Sequence, residues 1–194
     1  MKTIRTLAIA VVALALPGVA QAHTGFHVLG GADAGFTHPF SGLDHLLTMV
    51  AVGLWAASLG GKARILVPAA FVVVMAAGAA LGAAGVTLPA VETAITVSVV
   101  AVGVLVAAAV RVPLGAAMTI VAVFALFHGQ AHGSEMPAMA SPIAYGLGFV
   151  AATAILHGVG LLLGAARERR MVPVLTRAAG GMIAATGVVL ALPL

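Results

Sequence analysis

The feature that most constrains this chain is a series of apolar stretches, each long enough to cross the hydrocarbon core of a membrane. Six such stretches occupy residues 39–59, 65–84, 88–110, 113–132, 138–165 and 173–192. A bilayer core about 30 Å thick requires about 20 apolar residues in a helix. Because continuous apolar runs of this length favour helices that satisfy their own backbone in lipid, the sequence predicts an all-α, polytopic membrane protein. We expect a single domain built as a six-helix transmembrane bundle.

Charged residues are too scarce for a soluble globule. They make up 7% of the 194 residues, and hydrophobic residues make up 62%, whereas soluble domains carry about 25% charged residues. The expected partner of most of the surface is therefore the lipid bilayer. The net charge of +4 does not indicate a nucleic-acid partner, because the basic residues form no single patch. The absence of cysteine from the sequence excludes disulfides, thiolate metal sites and cysteine nucleophiles.

The first 22 residues are typical of a cleavable signal peptide. Lys2 and Arg5 precede an apolar run at residues 7–16, and an Ala-Gln-Ala sequence at residues 20–22 matches a cleavage site. The alternative is a first transmembrane helix, for which the apolar run is short. Cleavage would start the mature domain, residues 23–194, at His23 on the outer side of the membrane.

The positions of the basic residues predict the orientation of the helices. If the mature chain begins outside, the segments that follow the first, third and fifth stretches face the cytoplasm. Those segments and the start of the sixth stretch hold every basic residue of the mature chain: Lys62, Arg64, Arg111, Arg167, Arg169, Arg170 and Arg177. This distribution follows the positive-inside rule. We therefore expect a protein of the bacterial inner (cytoplasmic) membrane with both termini on the outer face.

Residues that can bind a metal ion gather at the outer ends of the predicted helices. The first group is His38, Asp44 and His45. In a regular helix, Asp44 would point about 100° away from His45. Either Asp44 faces a different neighbour, or Pro39 and Gly42 mark a non-helical entry that lets the three side chains converge.

The second group is His128, His132 and Glu135, whose spacings of four and three place them on one face of a helix. Imidazole and carboxylate groups are suitable ligands for a divalent transition metal. Glu135 is either a ligand or a partner that orients a ligating histidine. His23 and His27, near the new N-terminus, either chelate metal or belong to a loose tail.

Two further residues have open roles. Met49 lies one turn below His45 and is either a thioether ligand or a packing residue. His157 lies inside the fifth stretch, where an ionisable group suggests a function unless it bonds to a neighbouring helix. Unpaired polar groups near hydrocarbon cost several kcal/mol. The presence of two clusters on two spans favours a metal site over polar pairing alone.

The two groups sit within motifs that resemble the signatures of the HupE/UreJ family. These are His-Pro-x-x-Gly-x-Asp-His-x-x-x-Met at residues 38–49 and Phe-His-Gly-x-Ala-His-Gly-x-Glu at residues 127–135. The resemblance covers essentially the whole chain. It implies a permease that imports Ni²⁺, or alternatively Co²⁺, for metalloenzyme maturation, with the ion as cargo and no prosthetic group. The implied metal-handling residues are His38, Asp44, His45, His128, His132 and Glu135. A homo-oligomeric partner copy and a cytoplasmic metallochaperone are the partners to consider.

Two rival functions are a membrane metalloenzyme and a metal sensor or delivery subunit. The sequence contains no H-E-x-x-H motif, no Ser/His/Asp pattern and no nucleotide-binding P-loop, so we expect no enzyme and no ATP-driven pump. A sensor or delivery subunit would bind metal without net flux. The polar residues toward the inner side are sparse, which is the feature that favours this rival: Thr48, Ser58, Thr153 and His157.

Overall fold

The computed structural model describes residues 31–165 and 172–192. Within these ranges the chain forms seven α-helices and no strand. The helices are α1 (Ala32–Ser41), α2 (Leu43–Leu59), α3 (Ala63–Ala83), α4 (Val91–Ala107), α5 (Leu114–Ser134), α6 (Pro142–Ala165) and α7 (Val172–Leu190). The prediction of an all-α membrane protein is confirmed. The predicted signal peptide, His23 and His27 lie outside the described residues.

The number of complete spans in the described ranges is smaller than the six that the sequence predicted. Three whole helices, α3, α5 and α6, together with the segment Pro173–Leu190 of α7, are long and apolar enough to cross a membrane. Helices α1 and α2 pass the same test only as a pair, and they are bent by 85° at the residue between them. Helix α4 is apolar but has only 17 residues. The structure therefore supports four spans, or five when the bent pair counts as one.

The first predicted span, at residues 39–59, is wrong in its start and in its continuity. Pro39 does not begin a helix; it lies in the last turn of α1, where a missing N–H costs at most one hydrogen bond. The break occurs at Gly42, whose backbone is extended with φ −96° and ψ 119°. The third predicted span is shortened for a different reason. Ala90 and Ala109, with φ of 55° and 52°, take the left-handed conformation just beyond the two ends of α4.

The basic residues and the histidines of the two motifs lie at opposite ends of the helices. Helix α2 begins beside Asp44 and His45, and the chain reaches Lys62 directly after α2 ends. Helix α5 runs the other way, from the segment after Arg111 to His132. Lys62 and Arg111 line one surface cavity, so the basic residues of two connections meet at one end of the bundle.

Small residues allow α3 and α5 to pack with their backbones in contact. A β-carbon on Gly129 would overlap the carbonyl oxygen of Met75, and one on Gly133 would overlap the carbonyl oxygen of Ala79. Such small-residue contacts are a common way for helices to associate in lipid, where packing replaces the hydrophobic driving force. The close contact fixes the backbone of α5 beside the two histidines of its last turns.

We expect Gly129→Ala to destabilise the protein, because the added methyl group meets backbone and no flexible side chain. Overpacking of this kind costs about 1–3 kcal/mol. Thermal unfolding in detergent should show a lower Tm for this variant. Gly115→Ala, on the exposed start of the same helix with no atom within 4 Å of its β-carbon, is the matched control and should not lower the Tm. Equal Tm values for the two variants would contradict the packing argument.

Candidate metal site

Four imidazole rings from three helices form a cluster at the end of the bundle opposite the basic residues. We call His38, His45, His128 and His132 the histidine cluster. The ring centroid of His45 lies 4.6 Å from that of His128 and 4.7 Å from that of His132. His38 lies 4.8 Å from His132 and 6.1 Å from His45. The structure thus brings together the histidines of the two motifs.

The break at Gly42 also resolves the alternatives for Asp44. Asp44 turns back onto its own neighbour: its Oδ1 accepts hydrogen bonds from the backbone N–H of His45 at 2.7 Å and from its Nδ1 at 2.8 Å. A β-carbon on residue 42 would lie 2.8 Å from that carboxylate oxygen and 3.3 Å from Nδ1 of His45. Glycine at this position therefore leaves room for the Asp44–His45 pair.

Carboxylates flank the cluster on its exposed side. The Oε2 atom of Glu135 lies 3.2 Å from Nε2 of His38, and the side chains of Glu135 and Asp44 are 52% and 26% exposed. An ionised carboxylate has no proton to donate and can only accept. The contact of Asp44 Oδ1 with Nδ1 of His45 therefore places a proton on Nδ1, and in the neutral ring the lone pair then lies on Nε2. Nε2 of His45 is buried and has no hydrogen-bond partner among the described residues.

Ser98 of α4 fixes the ring of His128 in a similar way. Its Oγ lies 2.8 Å from Nε2 of His128, 3.1 Å from Oγ1 of Thr48 and 2.6 Å from the carbonyl oxygen of Ile95. The carbonyl contact is the shortest of the three and a carbonyl can only accept, which favours donation of the single hydroxyl proton of Ser98 to Ile95. In that arrangement Ser98 accepts from Nε2–H of His128, and the lone pair of the ring lies on Nδ1, which is buried without a partner among the described residues.

His132 is held by stacking. Its ring lies parallel to that of Phe149, with the centroids 5.0 Å apart and the planes at 8°. Both of its nitrogens are buried without a hydrogen-bond partner in the described part of the chain. A buried polar atom without a partner costs about 1–3 kcal/mol. The histidine cluster therefore holds imidazole nitrogens that a ligand could satisfy.

The imidazole nitrogens of the histidine cluster do not surround a common point. Across residues 31–165 and 172–192, no three His, Asp or Glu side chains form a group that could hold a metal ion as they stand. An ion bound by several of these residues would require their rings to rotate. Metal binding by the six residues of the two motifs stays a prediction.

One face of α6 carries a line of side chains that runs from the histidine cluster into the interior of the bundle. Tyr145, Phe149, Thr153 and His157 repeat every four residues and are all buried, so they form a line about 18 Å long. At the end of this line nearest the histidine cluster, the ring centroid of Tyr145 lies 6.1 Å from that of His38. Phe149, the next member, stacks on His132 as described above.

The deeper half of this line has different neighbours. The hydroxyl of Thr153 lies 3.3 Å from Sδ of Met49 and 3.7 Å from Sδ of Met75. His157 does not join the histidine cluster; its ring packs edge-on against Phe71 at 5.1 Å. Phe71 also lies 5.8 Å from His128, so this one aromatic ring contacts both histidines.

Several residues of the site lie outside the two sequence motifs. Ser98 gave one usable signal as the single serine of its apolar stretch, and Tyr145 gave another as the single tyrosine of the chain. Phe149, Phe71 and Met75 gave none, because such residues are ordinary in a transmembrane helix. Their roles depend on contacts between helices that are distant in sequence.

The fold and the site define a polytopic helical membrane protein with a carboxylate-flanked histidine cluster at one end of its bundle. The chain belongs to the HupE/UreJ family: the family model described as "HupE / UreJ protein" matches residues 10–190. It is 50% identical over 178 residues to Protein HupE of Rhizobium leguminosarum bv. viciae, which covers 92% of this chain and 93% of that relative. No solved structure matches the chain.

Family membership confirms the resemblance that the two motifs indicated. The HupE/UreJ family consists of metal transporters that are accessory to hydrogenase and urease. That description agrees with the expectation that the chain is not an enzyme.

We expect Ser98→Ala to make the ring of His128 more mobile and to allow both of its neutral tautomers, because the variant lacks the oxygen that accepts from Nε2. Histidine ¹⁵N chemical shifts in detergent should show a single tautomer in the native protein and a mixture in the variant. Loss of a partner that orients a ligating histidine typically weakens metal affinity about 10–100-fold, which Ni²⁺ titration calorimetry would measure.

The matched control is Thr96→Ala on the same helix, whose exposed hydroxyl bonds to the carbonyl oxygen of Glu92 within that helix. It should leave both the shifts and the affinity unchanged. A single His128 tautomer in Ser98→Ala, equal to that of the native protein, would contradict the assignment.

Proposed function

We propose that this protein is a secondary transporter that carries Ni²⁺ across the cytoplasmic membrane into the cytoplasm for metalloenzyme maturation. The observation that carries the proposal is the set of imidazole nitrogens in His45, His128 and His132 that are buried without a hydrogen-bond partner in the described part of the chain. Neutral imidazole is a borderline ligand that suits Ni²⁺ and Co²⁺. The HupE/UreJ match and the identity to Protein HupE support metal transport at the level of the family.

Each of the six metal-handling residues that the resemblance implied has a place in this proposal. His38 and Glu135 lie at the exposed edge and capture the hydrated ion. The three buried histidines then replace its water molecules after their rings rotate. Asp44 holds Nδ1 of His45 and supplies negative charge beside the ion. Such carboxylate–histidine pairs are typical of metal sites.

The orientation of the transporter rests on the distribution of charge. The positive-inside rule favours a cytoplasmic position for the end that carries Lys62 and Arg111, which leaves the histidine cluster at the outer face. Six crossings with both termini outside result if the bent α1–α2 pair and the 17-residue α4 each count as one. An inside-negative potential of 100 mV would then favour entry of a divalent ion by about 4.6 kcal/mol.

A metal sensor or delivery subunit is the second candidate, and the packing of the deeper half favours it. Trp55 and Val67 are fully buried between His157 and the basic end, and Trp55 donates a hydrogen bond to the carbonyl oxygen of Val110. This region offers an ion few polar groups. A transporter must open it, whereas a delivery subunit need not.

Flux measurements in proteoliposomes distinguish the two candidates. With a metal-quenched dye inside and an inside-negative potential, Ni²⁺ added outside should quench the dye in the native protein. We expect His132→Ala to reduce the initial rate at least about tenfold, since it removes two unpartnered nitrogens of the cluster. Thr119→Ala, on the exposed face of the same helix, should transport like the native protein.

The outcomes separate cleanly. Native protein that binds Ni²⁺ in detergent but gives no flux above that of empty liposomes would overturn transport and favour delivery. A faster rate for Co²⁺ than for Ni²⁺ at equal concentration would replace the cargo with cobalt.

Two substitutions of Asp44 test its role beside His45. Asp44→Ala removes both the negative charge and the acceptor, and we expect Ni²⁺ affinity to fall about 10–100-fold. Asp44→Asn keeps an acceptor for the backbone N–H and Nδ1 of His45, so its loss should be smaller. Calorimetric titration gives both values. Native affinity in Asp44→Ala would show that this carboxylate takes no part in binding.

A further inference from the structure

The side chains of Thr153, Met49 and Met75 meet inside the bundle and come from three different helices. The hydroxyl of Thr153 on α6 lies 3.3 Å from the sulfur of Met49 on α2 and 3.7 Å from the sulfur of Met75 on α3. All three residues are fully buried. We call them the thioether group.

The hydroxyl of Thr153 behaves differently from those of other threonines in the same chain. Four of them bond to the carbonyl oxygen four residues earlier in their own helix: Thr37, Thr96, Thr119 and Thr186. Thr153 instead turns toward two sulfur atoms, which are weak acceptors. The single hydroxyl proton can bond well to only one of the two sulfurs. The interior here therefore contains two thioether sulfurs and a hydroxyl oxygen whose lone pairs are available to a soft cation.

The position of the thioether group is also informative. Met49 lies one helical turn after His45, and Thr153 lies one turn after Phe149, which stacks on His132. His157 lies one further turn along α6, and both its nitrogens are buried without a partner among the described residues. Along α6, Thr153 of the thioether group therefore lies between Phe149, at the level of His132, and the imidazole of His157.

We propose that the thioether group is a second cation subsite, distinct from the histidine cluster and soft in character. Its donors are two thioether sulfurs and a hydroxyl oxygen, all uncharged. Thioether ligands select closed-shell monovalent ions such as Cu⁺ or Ag⁺, and they bind Ni²⁺ more weakly. On the path of the proposed transporter, on which this second role rests, a weak subsite lets the ion leave the histidines without being trapped.

The chain offers an unusually direct probe of such a site. It contains no cysteine and eight methionines, so any silver–sulfur distance must come from methionine. We would add Ag⁺ to the full-length protein in detergent and record X-ray absorption at the silver edge. The native protein should show sulfur neighbours, and Met49→Leu/Met75→Leu should lose them together with at least about tenfold in Ag⁺ affinity.

Leucine is the appropriate replacement because volume-conserving swaps in a core usually cost less than about 1.5 kcal/mol. The matched control is Met118→Leu/Met182→Leu, which changes two methionines elsewhere in the bundle and should bind Ag⁺ like the native protein. Tm values and Ni²⁺ affinity at the histidine cluster should be similar in all three proteins. Unchanged silver–sulfur scattering in Met49→Leu/Met75→Leu would overturn the subsite.

Flux then tests the place of the subsite on the path. We expect Met49→Leu/Met75→Leu to carry Ni²⁺ at least about tenfold more slowly than the native protein. Native-like flux in this variant would overturn the role on the path while native transport still stands. Absence of flux in the native protein would overturn the proposed transporter, and the silver measurement would still decide whether the subsite exists.

Discussion

The site depends on a single extended residue, Gly42, between two helices. In one straight helix, His38 and His45 would lie about 10 Å apart along the axis, and Asp44 would point away from both. The 85° bend brings the two rings to 6.1 Å. It also turns Asp44 onto His45, in space that a β-carbon on residue 42 would occupy. The first motif therefore bends the backbone as well as positioning the side chains of His38, Asp44 and His45.

The distribution of charge around the cluster follows from the cost of burial. Ionised carboxylates are far more expensive to bury than neutral imidazoles, and the structure keeps Asp44 and Glu135 partly exposed while the rings of His128 and His132 are buried. A doubly charged ion would meet negative charge at the edge and only neutral donors deeper in. Such a gradient allows binding at the surface without holding the ion tightly inside.

The sequence predicted what local patterns determine. Helices α3, α5 and α6 follow from the length of their apolar runs, and the spacing of His128 and His132 predicted their shared face. The sequence left open whether Asp44 faces a different neighbour or whether Pro39 and Gly42 mark a non-helical entry. The structure breaks the helix at Gly42, whose backbone is extended, while Pro39 stays within the last turn of α1. The early end of α4 at Ala107 was not predictable, since the run of alanines at residues 107–109 gives no stop signal. The partners Ser98 and Phe149 depend on packing between distant helices.

The glycines of the second motif explain how the rings can be both positioned and free to move. Gly129 and Gly133 each follow a histidine by one residue, so they form a stripe about 100° around α5 from His128 and His132. That stripe is pressed against the backbone of α3, which fixes the main chain beneath both rings. The remaining freedom lies in the side-chain torsions. Since no three His, Asp or Glu side chains of the described residues form a metal-holding group as they stand, coordination by His128 and His132 would require rotation of their rings on this fixed backbone, and reversal of the same rotations would release the ion.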